Sequence, residues 1–377
     1  MIMPELPAFL TSLGGEDHKG LIISLFTLTA GLSRPFSGKL TDTIGRIPVM
    51  VTGAFVCVVC GVLYPMVGSV FAFLLLRLLH GFSTGFKPTG TAAYIADIVP
   101  IERRGEAMGY VGFAGSFGIA LGPILGSWII QVWSMEIMFY TSSLFAFLSV
   151  FVLLNMRETL QNRQRFSFKL LKVSREDFFE PDVLPASVVI LFSVYGFGVV
   201  LTIIPDFAVH LGIANKGLFF GYFTMASLFT RLFFGKMSDR FGREPVIIIM
   251  LAGLVIVYMI TGFVTTPNGL MICAAMLGFL TGNLTPAVFA WTIDLGDIRY
   301  IGKAMATLYI ALEIGIGVGA LLTGFIYNNA IENIRYVFAA SSTSAGLGLL
   351  FICFYYLRKK RYLRADSQSS ISTKSAT

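Results

Sequence analysis

The chain alternates long apolar runs with short polar breaks. Runs of about 20 apolar residues, the length at which a helix crosses a bilayer, fall near 20–38, 48–68, 70–94, 106–129 and 136–156. They resume near 183–204, 216–235, 245–264, 269–293, 302–325 and 335–357. The pattern predicts an all-α integral membrane protein with eleven spans. The one long internal polar stretch, 157–182, separates an N-terminal bundle (1–156) from a C-terminal bundle (183–357). The last segment, 358–377, is basic and then rich in Ser and Thr, which reads as a tail disordered beyond the membrane surface.

Composition agrees with the pattern. Of 377 residues, 55% are apolar and 13% charged, against about 25% charged in a soluble domain. This excludes a soluble enzyme. The net charge of +7 does not point to nucleic acid, because the basic residues fall in short loops. With 39–47, 95–105, 157–182, 236–244, 294–301 and the tail on one side, only Lys19, Lys216 and Arg335 of the 28 Lys and Arg fall on the other, while Arg77 and Lys87 lie inside a span. The positive-inside rule then makes the linker and C-terminus cytoplasmic, in a cell (inner) membrane. The four cysteines sit in apolar runs; Cys57 and Cys60 have redox spacing but no polar or basic neighbours to favour a thiolate, so they read as core residues. The three histidines are scattered, and no phosphate-binding GxxxxGK[ST] loop occurs. No metal or cofactor is expected.

The two bundles repeat one another. SRPFSGKLTDTIGRIPVM (33–50) aligns with TRLFFGKMSDRFGREPVI (230–247) at an offset of 197, pairing Arg34 with Arg231, Asp42 with Asp239 and Arg46 with Arg243. The same offset pairs Gly81 with Gly278, Asp97 with Asp294, Gly118 with Gly315 and Gly122 with Gly319. One offset over so many positions marks a tandem duplication.

Gly38-Lys-Leu-Thr-Asp42-Thr-Ile-Gly45-Arg46 resembles the signature loop of the major facilitator superfamily, and Gly235 to Arg243 resembles its second copy. Arg77-Leu-Leu-His-Gly81 is similar to the family's RxxxG element. Gly109, Gly118, Gly122-Pro123 and Gly126 resemble the glycine pattern of its proton-coupled exporters, with Ser127 in place of a final Gly. Arg157-Glu-Thr-Leu160 resembles the end of the family's sixth helix, with Arg in place of the usual Pro. The resemblance covers the whole chain and implies two pseudo-symmetric six-helix bundles, of which eleven spans are present. It also implies a drug:proton antiporter type of activity.

Two constellations carry the expected chemistry. Gly38, Asp42, Gly45, Arg46, Asp97 and Arg104 in the first half, with Gly235, Asp239, Gly242, Arg243 and Asp294 in the second, form candidate charge clusters. These would clamp the halves together at the cytoplasmic face in one state and release them in the other. Basic loops also orient the chain, but the recurring acidic members contribute little to topology. The second constellation comes from charges present in one half only. Arg77, His80, Thr84, Lys87 and Thr91 make a polar stripe on one face of the run 70–94, where Arg77 and Lys87 either line a cavity or snorkel to the interfaces. Glu313 lies deep in the run 302–325, one turn from Tyr309, and is the candidate proton carrier, the alternative being a structural carboxylate. Tyr195 and Asn283 are weaker cavity candidates, and Arg77 is the expected charge partner.

The resulting expectation is a monomeric secondary transporter, not an enzyme, that exports a drug-like or amphiphilic solute against protons by alternating access. Its partners are a small solute, protons and the bilayer, without nucleic acid. Proton-linked uptake of a small organic anion or sugar is the alternative, and a non-transporting sensor a remote one. One more expectation concerns the first half. Pro7 to Gly14 parallels Pro205 to Gly212, so Met1–Leu6 matches only the outer end of the run that opens the second half. A preceding apolar helix, completing six plus six, is therefore expected in frame just upstream of the codon for Met1. Genomic sequence there without an apolar segment would refute it.

Overall fold

The computed structural model describes all residues except 101–103, 172–179, 235–236, 297–300 and 375–377. The apolar runs become helices because hydrocarbon offers no partner to a backbone N–H or C=O, so each segment must satisfy its own. The helices are α1 (Leu6–Ser12), α2 (Lys19–Thr43), α3 (Arg46–Leu63), α4 (Val70–Ile98), α5 (Arg104–Val132) and α6 (Met135–Leu154), then α7 (Leu184–His210), α8 (Gly217–Phe234), α9 (Met237–Phe241), α10 (Arg243–Thr261), α11 (Pro267–Leu295), α12 (Ile301–Tyr327) and α13 (Ile334–Lys374). Among the described residues there is no strand. Eleven of these helices are long, and among the described residues nine are long and apolar enough to cross a membrane. The other two, α2 and α8, hold the equivalent arginines Arg34 and Arg231.

The duplication is visible in three dimensions. In the first half α4 packs on α2 and α3, and α3 on α6; in the second, α11 packs on α8 and α10, and α10 on α13. The helix starts repeat as well, since Ser69 and Thr266, 197 apart, cap α4 and α11 through the N–H groups of Ala72 and Gly269. So do turns: Gly15 N–H reaches Leu10 O at 3.0 Å as Ile213 N–H reaches Ala208 O at 2.9 Å. The halves meet where α2 lies along α12 and α5 along α8.

Small residues set the closeness of these contacts. A Cβ on Gly319 of α12 would fall 2.1 Å from Tyr195 O of α7, and one on Gly198 of α7 would fall 2.1 Å from Ile316 O. Backbone cannot retreat from such a clash, so only glycine fits.

At the face that carries the 157–182 segment, here the linker face, Gly45 turns the chain from α2 into α3 at φ +126°, which disfavours any side chain. Glu158 fills the space beside it. One oxygen accepts from the N–H groups of Arg46, Thr159 and Leu160, and the other from Ile47, each at 3.0 Å. A carboxylate from the far side of the bundle thus caps the first turn of α3 and satisfies its orphan donors. Partial burial works against the charged form, but these four N–H groups outweigh it and hold the carboxyl below its ordinary value.

The last helix corrects one expectation. Residues 358–374 continue α13 rather than forming a disordered tail. Leu, Arg, Lys and Ala there are strong helix formers extending an existing helix, so no new nucleus is needed.

Two outcomes are expected. Gly319→Ala should cost roughly 1–3 kcal/mol through overpacking, whereas Gly346→Ala, whose Cβ would meet only Val255 Cγ2 at 3.9 Å, should be neutral or stabilising by up to about 1 kcal/mol; thermal unfolding in detergent measures both. For Glu158, a carboxyl held below its ordinary value of 4.5 stabilises the fold fully above that pH and loses the effect as pH falls through its folded value. The gap in Tm between wild type and Glu158→Gln should therefore be constant above about pH 4.5 and shrink below it.

Candidate transport site

The site is built where α2 and α12 cross between the halves. Small residues bring the two helices together: a Cβ on Gly20 would fall 2.6 Å from Ala320 O, and one on Gly31 would touch Glu313 Cβ at 3.4 Å. At that crossing Arg34 Nη2 donates to Glu313 Oε1 at 2.9 Å, with side-chain exposures of only 11% and 7%. The guanidinium lies over the Tyr309 ring, 4.2 Å from its centroid, and Phe289 meets the other side of the cluster edge-on at 5.3 Å from Tyr309. Arg34 Nε is buried and has no hydrogen-bond partner. Stripping either charge from such a pair leaves the other unpaired in a low-dielectric interior, which costs about 3–5 kcal/mol. Protonating the carboxyl would carry the same cost, because it leaves the Arg34 guanidinium without a counter-charge.

This arrangement changes the expected partnerships. Glu313 is paired across the halves with Arg34, not with Arg77. Arg77 is 1% exposed and is spent within its own half. Its Nε donates to Ile22 O at 2.9 Å, its Nη1 to the Tyr64 hydroxyl at 3.2 Å, and its guanidinium lies 4.5 Å from the Phe26 ring. His80 joins the same group through Tyr64, 3.2 Å from its hydroxyl. The stripe on α4 is therefore divided. Lys87 turns to α6, where it donates to Ser149 at 2.8 Å, and Thr91 donates to Lys87 O in its own helix. The physical reason is length: a lysine stem seeks the nearest hydroxyl that relieves its charge, and α6 offers one. Tyr309 supplies a ring beneath Arg34 rather than a hydrogen bond to Glu313, the described contacts including no such bond. Thr84 is half-buried, Tyr195 is 8% exposed, and Asn283 donates to Phe279 O of its own helix at 3.3 Å. None of the three makes a described contact with the ion pair.

The linker-face clusters also differ from expectation. Arg46 binds Asp42 at 3.2 Å and Asp97 at 2.8 Å; Arg243 binds Asp239 and, at 2.9 Å, Asp294. The two clusters are copies of each other, and among the described residues each ties only its own half together. Short Asp side chains at i,i+4 from their arginine favour this local closure. Gly45 and Gly242 both hold positive φ, and Gly38 has open space around it. Gly235, the side chain of Arg104 and the surroundings of Gly109 lie outside the described residues.

Cross-half ties gather instead on the opposite face. Lys19 of α2 pairs with Asp206 of α7 at 2.5 Å, and Lys216 pairs with the buried Glu5 at 2.8 Å. Within the first half Ser127 of α5 steadies the same Glu5 by donating to it at 2.6 Å; across the halves Gln131 reaches Ala214 O at 2.8 Å, and Asn329 reaches Asp17 at 3.0 Å. The glycine pattern of α5 serves this closure in part. A Cβ on Gly217 of α8 would fall 2.3 Å from the Pro123 carbonyl carbon, and Gly122 and Gly126 face Met1. Gly118 has open space.

A second arginine sits at the repeat-related position. Arg231 of α8 donates to Ser116 of α5 at 3.4 Å, and Ser116 stands where the other half has Glu313. Sequence reasoning passed over Arg34 because it recurs as Arg231 and so read as architecture. The signal that could have found it is its depth in an apolar run, the same feature that singled out Glu313. A recess of about 550 Å³ between α8, α10 and α11, lined by Phe229, Ile256 and Met276 among others, holds no ionisable group. Among the described residues there is no cluster able to hold a metal ion.

Comparison with known proteins places this architecture. The chain is 27% identical to a multi-drug resistance efflux pump PmrA homolog of Lactococcus lactis, over 97% of this chain and 92% of that protein. It is 28% identical to the multidrug resistance protein MdtG of Klebsiella pneumoniae, over 87% and 83%. Its fold matches a crystal structure of a peptide transporter with a TM-score of 0.76 and 14% identity, covering 96% of this chain and 91% of that one. The family model described as the Major Facilitator Superfamily matches residues 1–219 and again 186–374. With both halves matched, the chain belongs to the Major Facilitator Superfamily of membrane transporters, and it is not an enzyme.

Proposed function

We propose that the protein exports a drug-like or amphiphilic solute in exchange for protons, with Glu313 carrying the proton and Arg34 sensing it. The observation that carries this reading is the buried Arg34–Glu313 pair bridging α2 and α12. The relative named a multi-drug resistance efflux pump supports the export direction, and the one named a multidrug resistance protein supports the drug-like cargo. The linker face is taken as cytoplasmic by its Lys and Arg content.

In this reading the described conformation is one that has released its proton. The opposite, outer face is closed by the Lys19–Asp206 and Lys216–Glu5 pairs, while the described ion pairs of the cytoplasmic clusters lie within each half. Solute enters from the cytoplasm. When the halves rock and the outer side opens, Glu313 takes a proton from the more acidic compartment. The neutral acid no longer binds Arg34 as an ion, so the tie between α2 and α12 weakens. Return to the inner-facing state and loss of the proton restore the pair. The ordered alternation couples proton entry to solute exit.

The second reading, uptake of an organic anion, would need Arg77 to leave its partners Ile22 O and the Tyr64 hydroxyl, since it is buried among them. There Arg77→Ala would lose anions while sparing cations.

In proteoliposomes with an imposed pH gradient, Glu313→Gln should lose at least about 90% of gradient-driven export while still binding solute. A drop of that size corresponds to about 1.4 kcal/mol or more in the coupled step. Unchanged gradient-driven export in that variant overturns the assignment.

A further inference from the structure

We propose that Arg231, together with Ser116, receives an anionic group of the transported solute, so that the preferred cargo is an amphiphile bearing one acidic group. The inference deepens the export reading and rests on it.

The argument begins with the broken symmetry of the duplication. Arg34 and Arg231 occupy equivalent positions, as do Glu313 and Ser116. Both arginines reach across the boundary between halves, Arg34 from α2 to α12 and Arg231 from α8 to α5. In the first crossing the guanidinium finds a carboxylate at 2.9 Å. In the second it finds a hydroxyl at 3.4 Å, and among the described residues no carboxylate lies within ion-pair distance of Arg231. Ser116 itself is 8% exposed whereas Arg231 is exposed, so the hydroxyl is fixed at the helix boundary and the guanidinium reaches it from the open side.

Arg231 lies in the last turn of α8 and is itself exposed, so its guanidinium, with no carboxylate partner among the described residues, is open to a solute that reaches the α5–α8 boundary. Its planar fork is suited to a carboxylate or similar oxyanion, which it can bind through two parallel hydrogen bonds. A second unspent group lies on the same face of α8. Thr224, two turns before Arg231, is 4% exposed, and its Oγ1 has no hydrogen-bond partner. Its repeat counterpart Thr27 instead donates to Ser24 O at 3.2 Å. Seven residues of helix separate the two groups by about 10 Å, a span that fits one acidic end and one further polar atom of a single small molecule. Glu313 cannot serve such a cargo, since its charge is of the same sign. The duplication thus yields one crossing with an internal anion and one that takes its anion from outside.

The test uses dansylglycine, an amphiphile with one carboxylate, and dansylglycinamide, the same fluorophore ending in a neutral amide. Each is titrated by fluorescence against the full chain in nanodiscs of phosphatidylcholine, at fixed pH and without a gradient. Wild type should bind the acid roughly tenfold more tightly than the amide, the size expected of one charge-assisted contact. Arg231→Gln should abolish that preference by weakening the acid alone, and Ser116→Glu, which supplies the missing carboxylate, should do the same. Arg231→Lys should retain part of it. Unchanged amide binding in each variant shows that the fold is intact. The proposal is overturned if wild type binds both probes alike or binds no acid. It is also overturned if Arg231→Gln weakens both equally, or if the preference survives the substitution. Repeating the titration with added phosphatidylglycerol separates solute from lipid: an effect of Arg231 seen only with that lipid assigns the site to a headgroup and overturns the solute reading. Because no proton gradient is present, failure here leaves the Glu313→Gln transport result, and the export reading it tests, standing or falling separately.

Discussion

A single ion pair organises the interior of this protein. Arg34 and Glu313 are both nearly out of reach of solvent, and they belong to different halves of the chain. In water such a pair would contribute little. In a low-dielectric crossing each charge is tolerable only because of the other. The glycines of α2, the ring of Tyr309 and the edge of Phe289 all serve to hold this pair at one place. Neutralising the carboxyl would leave Arg34 unpaired at the boundary between the halves.

The remaining polar contacts sort by depth. On the face opposite the linker they join the halves, through Lys19, Lys216, Glu5 and Asn329. On the linker face the duplicated Arg–Asp clusters close within each half. Among the described ion pairs, those between the halves therefore lie away from the linker face, an asymmetry that fits the alternation proposed above.

Much of this was legible in the sequence. Apolar runs of bilayer length gave the helices because backbone satisfaction leaves hydrocarbon-buried segments no alternative. The offset of 197 gave the pairing of halves because a duplicated chain repeats its caps and turns along with its core, as Ser69 and Thr266 illustrate. What the sequence hid was direction. Periodicity places Arg77 and Lys87 on one stripe, but it cannot say that one bends toward Tyr64 and the other toward Ser149, since a long flexible stem decides that after the neighbours are in place. Glu158 as the cap of α3 was likewise invisible, because its partners lie more than a hundred residues earlier. Arg34 was hidden by its own duplicate: recurrence was read as scaffolding, whereas the two copies share a position and differ in what they meet.

The Glu158 cap has a mechanical meaning. Residue 158 is at the start of the strand of chain that leads to the second half, yet it is pinned to the first turn of α3 and the glycine beside it. The segment is fastened again farther along, where Gln164 N–H donates to Thr43 O at 2.9 Å. The polypeptide connecting the halves is therefore stitched to the α2–α3 turn on both sides of the bend, and works as a seam as well as a spacer.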